Sequence, residues 1–220
     1  MHFESLDYTK IPELSKKMKS FFCEGRTTNT TAYMNWKISK DDGTSFWNIA
    51  EGYFGAAKVL ISKCLEDNFD GKADIFIFPI LFDIVHGIEL SLKAINNHLE
   101  IILRNQPKIE GNHNIKQMAS VALRRLEDYK MKAKNKEIDD LITAIKLVQQ
   151  FIEIIYDNTD DMAFARYSIN TKNEDMFYTS ALQNVTVDIE LLQEELNYVV
   201  TMLDFIFDLL RQYIRNAQEI

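Results

Sequence analysis

Apolar residues recur at spacings of three and four along most of this chain, the signature of helices with one buried face. The longest stripe is Leu81, Ile84, Ile88, Leu92, Ile95, Leu99 and Ile102. It predicts a helix from about Phe78 to Arg104, with Pro79 in the first turn, where a missing N–H is tolerated. The helix before it starts at Thr44 or Ser45, either of which can cap it. It carries Phe46, Ile49, Tyr53, Ala57, Leu60 and Cys64 and stops around Asn68–Gly71. Pro107 and Gly111 enforce a loop after the long helix. Asn112 or Asn114 then caps a helix running to about Ala133, with Ile115, Met118, Ala122 and Leu126 on its inner face. Ile138, Leu141, Ile145, Val148, Ile152 and Ile155 mark the next.

The last helix, Asp188 to about Ala217, carries two stripes. One is Ile189, Leu192, Leu196, Val199, Leu203, Ile206, Leu210 and Tyr213; the other is Leu191, Tyr198, Met202, Phe205 and Leu209. At 100° per residue their centres lie about 120° apart. A helix apolar on two sides must bury both, so it is either central in the bundle or packed on a second copy. A homodimer through this helix is the expectation.

Two segments lack the period. Residues 1–44 read as an irregular arm, with a short helix at Ile11–Lys19 and a short strand around Tyr33–Ile38. Residues 158–187 carry Phe164, Tyr167 and Ile169, then a turn-like Asn-Thr-Lys-Asn, then Met176, Phe177 and Tyr178, which suggests a short hairpin. So long an irregular stretch inside a bundle is often functional. The fold class predicted is all-α: an antiparallel bundle of about five long helices, residues 45–220, with an N-terminal arm.

Composition narrows the functional classes. A chain of 220 residues buries roughly 70% of its unfolded surface and needs no staple. Two cysteines, Cys23 and Cys64, are too few for a disulfide framework, which suggests a reducing, cytoplasmic setting. The N-terminus has no apolar core of signal-peptide length. The greasiest run, IFIFPILFDIV, holds eleven residues against the roughly 20 of a membrane span, so the expectation is a soluble protein. The net charge of −8 argues against coating nucleic acid over the whole surface.

The candidate chemistry sits in a few places. His86, Glu89 and Lys93 fall within about 60° of one another on the helical wheel, opposite the apolar stripe, with Asn96, Asn97 and Glu100 on the same side. As a solvated polar face this gives an ordinary Glu–Lys pair at i, i+4. Near His86, however, Phe82, Val85 and Leu90 crowd in, and a half-buried histidine needs a partner. Arg124, Arg125, Lys130, Lys132, Lys134 and Lys136 form a basic stretch in an acidic chain, either a solvated helix end or a stripe for RNA or nucleotide phosphates. Arg166 and Tyr167, in the late irregular segment, suit an anion or a stacked base as well as a loop anchor. No metal site and no cofactor is expected. Glu110-x-x-His113 stands alone in a loop, His86-x-x-Glu89 has the order of a di-iron pair reversed, and no phosphate loop or nucleophile elbow occurs.

His86-x-x-Glu89-x-x-x-Lys93-Ala94, followed after a loop by Gly111-Asn112-His113-Asn114-Ile115 at a helix start, resembles the HEPN superfamily of helical domains, over about Thr44 to the C-terminus. Arg166-Tyr167 before a long final helix is similar to the same group. The resemblance implies a dimeric helical domain, often a metal-independent ribonuclease of toxin–antitoxin or phage-defence systems that uses an Arg-x(4–6)-His motif. Members without the motif serve as binding or scaffold domains. Here Arg211 and Arg215 of the final helix are followed by no histidine, and Arg104 and His113 have eight residues between them. The implied function is therefore a non-catalytic domain binding RNA, a nucleotide or a partner protein encoded nearby. The alternatives are a ribonuclease with a different set, drawn from His86, His113 and Arg104, and a purely structural interaction module.

Overall fold

The computed structural model describes residues 20–34, 42–104, 113–132, 136–157, 165, 172–173 and 185–218. The chain divides into two units, Met1–Trp36 and Lys37–Ile220. In the first unit the described stretch is irregular around a single 3-10 turn, Thr28–Thr30. Threonine hydroxyls hold that turn: Thr30 Oγ1 accepts from the Thr27 N–H at 3.0 Å, and Thr31 Oγ1 donates to the Thr27 carbonyl at 2.8 Å. The expected helix at 11–19, most of the expected strand and nearly all of the expected hairpin lie outside the described residues.

The second unit is all helical among its described residues: α1 Asp42–Glu66, α2 Lys72–Arg104, α3 Ile115–Lys132, α4 Lys136–Tyr156 and α5 Ile189–Gln218. Polar side chains set the starts. The Asn114 side chain accepts from the Gln117 N–H at 2.9 Å at the head of α3, and Asp188 accepts from the Leu191 N–H at 3.0 Å at the head of α5. α2 begins six residues before the predicted start. Asn68 Oδ1 takes the Ala73 N–H at 2.8 Å, while Gly71 turns the chain at a φ of 65°. Pro79 consequently lies inside the helix rather than in its first turn.

Contacts fix the directions. Gly43 lies against His98, Tyr53 against His86 and Phe54 against Gly87, so α1 and α2 are antiparallel. Lys116 pairs with Glu153 and Lys130 with Asp139, so α3 and α4 are antiparallel too. Between α2 and α3 the order is different. Glu89 meets His113, Asn96 meets Met118 and Glu100 meets Arg125, so these two helices run the same way. The start of α3 therefore lies about 22 Å back along α2 from the end of that helix.

α2 packs against α1, α3 and α5, and α4 closes the bundle against α3 and α5. α2 is thus the central helix, and from Ile88 to Glu100 every residue is buried. That overturns the solvated polar face expected for Asn96, Asn97 and Glu100. The reason is tertiary: α3 lies along that face and supplies partners to Asn96 and Glu100, while Asn97 is buried beside Gly43 of α1 with no hydrogen-bond partner among the described residues. Elsewhere Phe207 of α5 is stacked between Trp47 of α1, at 4.2 Å, and His98 of α2, at 4.8 Å. By length and composition α2 is also the one described helix apolar enough to cross a membrane, and half of that span is buried inside the bundle.

Candidate functional site

Glu89 is the centre of the ionisable cluster. Its side chain is buried, with the residue 6% exposed. On its own helix Lys93 Nζ donates to Oε1 at 2.7 Å. From the start of α3, His113 Nδ1 reaches the same oxygen at 2.9 Å. His86 Nδ1 stands 3.6 Å from Oε2, too long for a hydrogen bond but close enough for charge to act. The trio that the sequence grouped on one helical face and the separately noted His113 therefore meet at one carboxylate. Three come from one face of α2; the fourth arrives because α3 begins beside Glu89.

The electrostatics follow. Burial pushes the Glu89 carboxyl up, but hydrogen bonds and charge from Lys93 and His113 outweigh it and hold it below the usual glutamate range. Nearly two turns before Glu89, burial raises the Asp83 carboxyl and the charge of His86 opposes it. His86 is walled by aromatics: Tyr53 presents its edge at 4.5 Å and Phe82 stacks at 5.7 Å. The His113 side chain is 80% exposed. A carboxylate only accepts, so Nδ1 carries a proton and donates to Glu89. Lys93 and His113 share Oε1, and among the described residues no three His, Cys, Asp or Glu side chains form a metal-binding group.

The basic stretch divides. Arg125 is buried, its Nη1 donating to Asn96 Oδ1 at 2.6 Å and its Nη2 to Glu100, while Asn96 Nδ2 donates to the Met118 carbonyl at 3.0 Å. This network ties α3 to α2 from within. Lys130 pairs with Asp139. Arg124 and Lys136 are exposed. The side chains of Arg104 and Lys132, together with Lys134, Arg166 and Tyr167, lie outside the described residues.

The two stripes of α5 are treated differently. Leu196, Val199, Leu203, Ile206 and Leu210 are buried. On the second stripe Leu191 is 52%, Tyr198 66% and Phe205 40% exposed, while Met202 and Leu209 are half-buried against the core. Beside it a groove of about 270 Å³ opens between α4 and α5, lined by Leu147, Gln150, Phe151, Ile154, Glu195, Tyr198, Val199 and Met202. The α4 side of this surface is not apparent from the main α4 stripe. Leu147 and Ile154, seven residues apart and off that stripe, are its only signal in the sequence. Comparison with protein families, with characterised proteins and with solved structures finds no match to this chain.

Proposed function

We propose that this chain is a HEPN-like helical domain that binds rather than cleaves, and that its ligand is a partner protein seated on the second face of α5. The resemblance places such domains in toxin–antitoxin or phage-defence systems. The observation carrying the reading is the exposed stripe Leu191–Tyr198–Phe205 beside an apolar groove, since a large contiguous apolar surface marks an interaction site. RNA or nucleotide binding through the basic stretch has less support, because Arg125 and Lys130 are engaged by Glu100 and Asp139. The test is substitution of Tyr198→Asp with Phe205→Asp. Folding should survive with stability changed by no more than about 0.5 kcal/mol, as for other surface positions. A loss of several kcal/mol would mean that the face is internal.

A second reading is kept because of one observation. His86 and His113 both approach Glu89, and a carboxylate that orients imidazoles is the arrangement of a general acid–base site. In that reading the chain is a metal-independent ribonuclease. Incubation with tRNA and total RNA in EDTA decides between them: cleavage lost in both His86→Ala and His113→Ala establishes the second reading, and intact RNA with folded protein supports the first.

A further inference from the structure

The border of the second α5 face has one sign. From Ile189 to Leu210 the helix carries Glu190, Glu194, Glu195, Asp204 and Asp208 and no lysine, arginine or histidine. Around the helix, Glu194 and Glu195 flank Tyr198 on opposite sides, about 40° and 60° away, and Glu190 and Asp208 follow at about 80°. Arg211 and Arg215, beyond Leu210, lie about 140° and 100° from Tyr198. Carboxylates crowd further round as well: after burial, Asp208 and Glu51 push the Asp204 carboxyl up, against the charge of Lys58.

The groove, at about 270 Å³, lies at the small end of ligand pockets, which run from about 300 Å³ upward. It suits anchor side chains projecting from a helix, and Met202 lets it adapt to their shape. A second copy is poorly matched. A two-fold contact over Tyr198 would lay one acidic border against another, and like charges facing each other across an interface are repulsive. We infer that the α4–α5 groove with the outer face of α5 is a docking site for a cationic amphipathic helix of a partner protein, apolar anchors filling the groove and lysines or arginines meeting Glu190, Glu194, Glu195 and Asp208. This rests on the interaction reading proposed above and names its partner's chemistry.

The probe is a fluorescein-labelled, end-capped helical peptide of leucine and lysine, with leucines at i, i+3, i+4 and i+7. A twin has glutamate in place of lysine. Fluorescence anisotropy on the full chain should show binding of the lysine peptide that weakens with salt, and none of its twin. Tyr198→Ser with Met202→Ser should weaken it at least tenfold, with an unchanged circular-dichroism spectrum. Glu194→Lys with Asp208→Lys should reverse the preference between the peptides. Binding unaffected by both double variants would be diffuse attraction to an acidic chain and would overturn the inference. A dimer in light scattering that Tyr198→Asp dissociates would overturn it while leaving the interaction reading standing. A monomer that binds neither peptide would count against both.

Discussion

Glu89 is held as an ion although it is almost out of reach of water, because two donors share one of its oxygens. Removing the charge leaves the Lys93 ammonium buried without its counter-ion. Breaking a buried pair in this way costs about 3–5 kcal/mol, so Glu89→Gln should lower the unfolding free energy by roughly that amount in urea titrations. The pH dependence has a definite sign. Since the folded pKa of Glu89 is depressed, its contribution is complete above the ordinary glutamate value of about 4.3 and is lost as pH falls through the folded value. The stability gap between the natural chain and Glu89→Gln should therefore shrink on going from pH 6 to pH 3. A gap that widens on acidification would contradict the ionised assignment. Spacing in the sequence was enough to place His86, Glu89 and Lys93 on one face. It could not show that the face is buried or that His113 joins it, because both depend on where α3 begins and how it lies along α2. Arg125 is the same case: its burial against Glu100 and Asn96 comes from a packing partner 25 or more residues away in sequence.

At the scale of the element, α1 shows how close a periodic reading comes and where it slips. The buried row is Trp47, Ala50, Phe54, Ala57, Ile61 and Cys64, one position round from most of the stripe read in sequence, and Ile49 of that stripe is exposed. Both rows are apolar, so periodicity alone does not choose between them. The choice is made by α2, where Gly87 leaves room for the Phe54 ring. A Cβ on Gly87 would stand 2.6 Å from Phe54 Cε1, whereas a Cβ on Gly55 would meet nothing within 4 Å. Two opposite effects follow for one kind of substitution. Gly87→Ala should destabilise by about 1–3 kcal/mol through overpacking, and Gly55→Ala should stabilise by about 0.5–1 kcal/mol through helix propensity. Thermal melts would read these as a fall and a rise in Tm of a few degrees. An equal response at both positions would mean that the two helices do not meet at Gly87. The main stripes of α3 and α4 carried no such ambiguity: Ile115, Met118, Leu126, Leu141, Ile145 and Val148 are buried as read.

For the whole molecule, the sequence supplied the number and order of long helices but not which one is central. The two stripes of α5 made it a candidate for the middle. That place belongs to α2, whose Asn96 and Glu100 are met by partners from α3, and α5 is left with Leu191, Tyr198 and Phe205 exposed on its second face. The interior thus takes up Glu89, Lys93, Glu100 and Arg125, and the proposed recognition falls to an outer surface that reads in the sequence as one apolar stripe too many. Hydroxyl-radical footprinting of the free chain at low concentration tests this most directly, because it reads side-chain exposure residue by residue. The account predicts rapid oxidation of Leu191, Tyr198 and Phe205, with Leu92, Leu99 and Leu203 protected. Protection of Tyr198 and Phe205 to the level of Leu203 would contradict it, since the face offered to a partner would already be covered.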